Sequence, residues 1–255
     1  MKMTLTNRFG NGLLLIALSL FLAPTVSAQI SFFNMPNPDM MPAVGYSYTE
    51  YDQYQTLKDN KNVNAYVPRI SVQALPYLEL GTNFWFNKET GNTLDKVVLA
   101  HKWRIWLYQS DKYKISMSPG GWHSIYLDKN LSPKHLLYDF VGLTIKHSDV
   151  IYTRLMFGGY MKYWRNAPAI QDIKKTSFGA LAGLEQRIGR SLVFVTDYFQ
   201  GSGEGYGLAP GFVYYATENG NNLPIYLAYQ IDNDDRKNDL LLFEIGYMFQ
   251  LFGKK

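Results

Sequence analysis

Cysteine is absent from this 255-residue chain, and its only imidazoles are His101, His123, His135 and His147. A His–Ser hydrolase would need one of these four on the same face as a serine and within hydrogen-bond reach of it. His123 and Ser124 are adjacent, so in an extended strand they point to opposite faces. His147, Ser148 and Asp149 fall in an expected tight turn, and His101 interrupts an otherwise apolar series. No catalytic residue is assigned, and the chain is expected not to be an enzyme. The same lack of cysteine removes thiolate zinc sites, thiol nucleophiles, redox switches and lipidation of an N-terminal cysteine.

Two loops contain groups that bind ions elsewhere. Asp232-Asn233-Asp234-Asp235 supplies oxygen donors, but a calcium loop needs roughly 6–8 ligands and the spaced Gly and closing Glu of an EF-hand are missing. Gly201-Ser202-Gly203-Glu204-Gly205 is rich in glycine, yet no helix opening on Lys-Ser or Lys-Thr follows it, so a phosphate cradle is not expected. No metal and no cofactor is assigned. Basic residues interleaved with aromatics in KYWRN, notably Lys162 and Arg165, make lipopolysaccharide phosphates a candidate contact.

What remains is charge at every second position of apolar segments. Arg69, Lys102, Arg104, Lys114, Lys146, Arg154 and Arg187 are basic, and Glu79, Glu185, Asp197 and Glu244 are acidic. In Tyr77 to Phe86, Leu78, Leu80, Thr82, Phe84 and Phe86 share one face, with Glu79, Gly81, Asn83 and Trp85 on the other. Val97, Leu99, Trp103, Ile105 and Leu107 oppose Lys102 and Arg104. Near the end, Leu241, Phe243, Ile245, Tyr247, Phe249 and Leu251 oppose Leu242, Glu244, Gly246, Met248 and Gln250. A period of two is the mark of a strand with one apolar and one polar face.

The elements positioning these charges are strands throughout. Beyond the three above, strands are expected near 43–51, 65–74, 113–123, 138–147, 150–160, 176–188, 191–200, 206–216 and 223–231, which makes 12. Short connections at 74–76, 109–112, 148–149, 189–190 and 218–222 alternate with longer polar ones at 52–63, 87–95, 124–137, 161–175, 201–205 and 232–238. Alternating short and long connections with an even strand number are the rhythm of an up-and-down barrel in a membrane. Tyrosine and tryptophan near the expected strand ends, such as Tyr46, Tyr108, Trp164 and Tyr229, suit the two interfaces of a bilayer.

Composition agrees. The chain is 47% hydrophobic with a mean hydropathy of only -0.19, because 16% of it is aromatic and the apolar residues alternate with polar ones. It is too aromatic and too weakly charged to be disordered, and a net charge of +4 gives no basis for nucleic-acid binding. Lys2 and Arg8, the apolar run Leu13 to Leu22 and the exit Val26-Ser27-Ala28 read as an export signal over residues 1–28, cleaved from the mature protein. No later run approaches the roughly 18 apolar residues of a membrane helix. Residues 29–42 are expected to form an extended periplasmic lead, and 43–252 a transmembrane β-barrel.

On these residues the chain resembles the bacterial outer-membrane β-barrel proteins. Its last segment, LLLFEIGYMFQLF, is similar to the closing strand that the barrel-assembly machinery reads, with Gly246, Phe249, Leu251 and Phe252 present, although Phe252 is out of phase and Gly253-Lys254-Lys255 follow. Asn34, Pro36, Pro42 and Gly45 resemble the opening of a poorly characterised family of exported barrels. The resemblance implies an all-β, antiparallel up-and-down transmembrane barrel in the bacterial outer membrane, with membrane lipid and the assembly machinery as partners. With the oily faces outward, the charged residues line the lumen. Their basic surplus makes a passive channel for small polar or anionic solutes the first expectation. A non-conducting structural or surface-binding barrel, its interior packed shut by ion pairs, is the second, and an outer-membrane hydrolase the least favoured.

Overall fold

The computed structural model describes residues 41, 43–56, 64–87, 93–127, 135–147, 153–165, 176–189, 191–201, 206–216, 223–234 and 239–251. The export signal, all of the lead except Met41, and the glycine-rich segment 202–205 lie outside the described residues.

The described residues form thirteen strand segments: β1 (Tyr46–Thr56), β2 (Asn64–Leu75), β3 (Leu78–Asn87), β4 (Thr93–Trp103), β5 (Ile105–Gln109), β6 (Tyr113–Tyr126), β7 (His135–His147), β8 (Thr153–Arg165), β9 (Thr176–Arg187), β10 (Leu192–Phe199), β11 (Gly207–Tyr215), β12 (Pro224–Asp232) and β13 (Leu240–Gln250). Every pairing is antiparallel between neighbours in the chain, with two exceptions that close the ring. β1 pairs with β13 from Tyr46↔Gln250 to Thr56↔Leu240. β4 and β5 pair in turn with the two ends of β6, so they form one stave interrupted at Arg104. The result is a closed up-and-down barrel of twelve staves, as the sequence implies.

Alternation along each stave explains which face looks where. Ile70, Leu80, Leu99, Val141, Phe212 and Leu227 are large apolar residues left exposed on the outside. An apolar surface of this extent is what lipid covers. Most inward residues of β7 to β13 are buried instead, and Tyr138, Met156, Leu181, Val195, Val213 and Leu242 belong to one core cluster inside the barrel.

Several staves run further at the long-connection end than the sequence expectation, whereas β9, β10 and β11 are one or two residues shorter than expected. β1 runs to Thr56, so the polar connection expected from 52 begins at 57; β6 reaches Tyr126, β7 starts at His135 and β8 reaches Arg165. The apolar alternation fades where a bilayer would end, but the backbone ladder continues beyond it. Paired strands satisfy their own amide groups with or without lipid around them. At the other end Gly45 adopts a left-handed conformation, φ 88, that favours glycine. There its N–H donates to Gln73 O at 3.0 Å and its carbonyl accepts from Leu251 N at 2.8 Å, tying the chain's entry to β2 and to the end of β13.

Candidate functional site

The densest group of ionisable side chains in the barrel interior stands on β13, β1 and β2. Glu50 and Asp52 are two apart on β1 and so share the inner face. Register places Glu50 beside Arg69 and Asp52 beside Glu244. Arg69 Nε lies 2.5 Å from Asp52 Oδ2, and its Nη1 lies 3.6 Å from Glu50 Oε2. Arg69 Nη2 also donates to Tyr54 OH at 2.7 Å, and Tyr48 OH donates to Glu50 Oε1 at 3.2 Å. One guanidinium thus faces three buried carboxylates. Carboxylate oxygens of Glu50, Asp52 and Glu244 all lie within 4.8 Å of one another. Asp52 Oδ1 and Glu244 Oε1 are buried with no hydrogen-bond partner. A buried charge without a partner is costly, which makes the cluster a candidate site and not merely a polar filler.

Gly246 lets the cluster form. A Cβ there would stand 1.7 Å from Tyr48 OH, so only glycine leaves room for the phenol that reaches Glu50.

A second set of charges lies along the far wall. Register aligns Lys114 with Lys146, Lys146 with Arg154 and Arg154 with Glu185 across β6, β7, β8 and β9. Lys114 and Lys146 share the strand parity of buried Ser116 and Thr144, and so face inward. By ring order β8 stands opposite β1, so the acidic cluster and the basic row occupy opposite walls. Lys102 Nζ pairs with Glu79 Oε2 at 3.4 Å nearer the short connections. Arg187 shares the inner parity of Glu185, and Asp197 is buried on β10. Arg104, expected in the same ladder, sits at the break between β4 and β5, where its guanidinium lies 4.6 Å from the Trp106 ring centroid.

Toward the longer connections the interior is aromatic. Trp122, Tyr138, Tyr160, Phe199 and Tyr206 make a run of ring contacts, each with centroids 4.9 Å from the next. Lys162 Nζ donates to Tyr206 OH from the inner face. That placement removes Lys162 from the outer rim, where the sequence reading set it for lipopolysaccharide contact; Arg165 is exposed at the end of β8. On the β3–β4 side, Lys96 Nζ stands 3.9 Å from the Trp85 ring centroid, and Trp85 stacks on Tyr54.

The histidines do not meet a serine nucleophile among the described residues. His123 Nε2 lies 3.1 Å from His135 Nδ1, both on the outer face, while Ser124 faces inward and is buried. His147 lies 4.9 Å, ring centroid to centroid, from Tyr113, and Ser148 and Asp149 are outside the described residues.

Glu50 and Asp52 were not among the charges assigned from sequence. Ending the first strand at 51 put Asp52 in a loop and hid the pattern. The signal is nevertheless present, because Tyr48, Glu50, Asp52 and Tyr54 are spaced by two.

A closed antiparallel ring of twelve staves, an apolar outer belt and charged inner walls define an outer-membrane-type β-barrel. No family model matches the chain, and no curated protein does. Among solved structures it is similar to outer membrane phospholipase A from Escherichia coli, at 14% identity over 80% of this chain and 93% of that one, with a TM-score of 0.43. It is also similar to Salmonella typhi OmpF, solved as a complex with daunomycin, at 12% identity, 80% and 96% coverage and a TM-score of 0.34. The translocator domain of the autotransporter NalP from Neisseria meningitidis gives 10% identity, 80% and 87% coverage and a TM-score of 0.32.

Proposed function

We propose that the chain resides in the bacterial outer membrane and acts there as a narrow, non-enzymatic passive channel for small polar or anionic solutes. The observation that carries this reading is Arg69. It stands midway along β2 and faces inward, yet its side chain keeps 26% of its surface accessible while the acidic partners at its head are shut in. Asn83, its register partner on β3, is also only half-buried. Water-accessible space therefore follows the β2–β4 wall at mid-height, while the opposite half is packed. Lys114 and Lys146, inward on the opposite wall, supply positive charge that favours anions, and the acidic cluster facing them gives the lumen a transverse field.

A closed barrel that works through its loops is the second reading. It is favoured by Met156, Val195, Val213 and Leu242, all inward and all fully buried. Recording from the folded protein in planar bilayers separates the two. The channel reading expects discrete conductance steps and a reversal potential displaced toward that of the anion; silence from folded protein overturns it. Membrane lipid and the barrel-assembly machinery are the partners this location implies, with Arg165 as the remaining candidate for a lipopolysaccharide phosphate.

A further inference from the structure

We propose that Glu50, Asp52 and Glu244 form a binding site for one hard divalent cation of calcium's size inside the barrel. The sequence reading assigned no metal, and this site is independent of whether the lumen conducts.

Donor chemistry selects the class of ion. All three groups offer carboxylate oxygens, and there is no sulfur or imidazole in the cluster, which suits calcium, magnesium or manganese and not the softer metals. Coordination then selects among them. Oxygens that lie within 4.8 Å of one another can share one ion, and an irregular set of carboxylates suits calcium, whose coordination is flexible and whose bonds are about 2.3–2.6 Å long. Magnesium, with bonds of about 2.0–2.1 Å, demands a near-ideal octahedron and keeps several waters, which a buried all-carboxylate cluster suits less well.

Two independent features point to an ion. Asp52 Oδ1 and Glu244 Oε1 are unpartnered on side chains that are 0% and 2% exposed. The other Asp52 oxygen is taken by Arg69 and one Glu50 oxygen by Tyr48, so the neighbouring groups have turned part of the cluster away and left free oxygens in it. Charge is the second feature. Three carboxylates against one guanidinium leave a formal deficit that a single doubly charged cation cancels. Arg69 then acts as a positioning residue: it fixes the Asp52 carboxylate through one oxygen and leaves the other for the ion. Its accessible side chain marks the way in, and water completes the coordination sphere.

Terbium serves as the probe for calcium, since Tyr48 and Tyr54 stand beside the carboxylates and can sensitise its luminescence. Full-length protein folded in detergent and stripped with chelator is titrated with terbium under tyrosine excitation. The expected result is saturable luminescence at one equivalent, displaced by calcium at far lower concentration than by magnesium. Calcium should also raise the unfolding temperature, because a ligand that binds only the folded state stabilises it. Glu244→Gln and, separately, Asp52→Asn should each weaken binding by more than about tenfold, a loss that even outer-sphere changes can bring at metal sites. Asp139→Asn, which removes a carboxylate from the outer face, should leave binding intact. Retained far-UV strand signal shows that each variant is folded, and either ligand variant alone suffices. Absence of saturable binding to the parent protein overturns the proposal, as does binding undiminished in a folded Glu244→Gln or Asp52→Asn variant.

Discussion

Arg154 Nε lies 3.2 Å from Glu185 Oε2, and neither side chain has any surface open to solvent. The two residues are direct register partners on β8 and β9, so the pair ties adjacent staves together from inside. Its removal in halves and as a whole should differ sharply. Glu185→Ala takes a carboxylate away from a fully buried guanidinium and should cost about 3–5 kcal/mol, whereas Arg154→Met with Glu185→Leu should come within a few kcal/mol of the parent or exceed it. Denaturant unfolding from lipid vesicles measures both. Equal losses from the single and double variants would show that the pair is not energetically closed.

Some glycines in this barrel make space for rings. A Cβ on Gly179 would meet the Tyr160 ring at 2.2 Å, and Tyr160 in turn donates to Gln200 O at 2.6 Å. Gly189, in the connection after β9, has nothing within 4 Å of where its Cβ would stand. Gly179→Ala should therefore lose about 1–3 kcal/mol through overpacking, with Gly189→Ala close to neutral. Unfolding midpoints of the two variants check this, and a neutral Gly179→Ala would mean that Tyr160 moves freely.

Twelve staves were legible because a period of two, repeated through most of the chain, has few other physical meanings. The inward direction of Arg69, Lys102, Arg154, Glu79, Glu185 and Glu244 was legible for the same reason. Missed were features that depend on which distant segments the barrel's closure brings side by side. Nothing near Glu50 or Asp52 in sequence announces Glu244, which register brings beside them from the far end of the chain. Lys162 was placed at the rim because it neighbours Trp164 and Arg165, yet it alternates with Arg165 and so faces the other way. Arg104 was counted with the ladder because regular alternation does not anticipate the interruption between β4 and β5. The interior filling of β10 and β11, with Val193, Val195 and Val213 facing inward, also breaks the oily-out, polar-in rule and is visible only in the folded barrel.

The apolar belt should respond to charge according to depth. Phe157, 52% exposed, sits on β8 beside Leu143 of β7. Phe178, 74% exposed, is only two residues inside the start of β9 at the long-connection end. Lipid penalises a buried arginine by about 2–4 kcal/mol near mid-bilayer and by about 0–1 kcal/mol near the interface. Phe157→Arg should accordingly fold less stably in vesicles than Phe178→Arg. Both substitutions should be far milder in denaturant series run in short-chain detergent, where water reaches the belt. A belt not covered by lipid would give no such gap.

The lane beside β2 and β3 gives the most direct test of conduction. Asn83 faces Arg69 across the ladder, and both keep accessible surface while the far half of the interior is packed. Asn83→Trp would place an indole in that space and should sharply lower or abolish single-channel current without unfolding the barrel. Val195 lies fully buried in the packed half, so Val195→Ala should cost stability through a small cavity but leave the current unchanged. Bilayer recordings of both variants decide where the path runs. Current insensitive to Asn83→Trp yet altered by Val195→Ala would move it to the opposite wall. Current insensitive to both would remove the β2–β3 lane as the route.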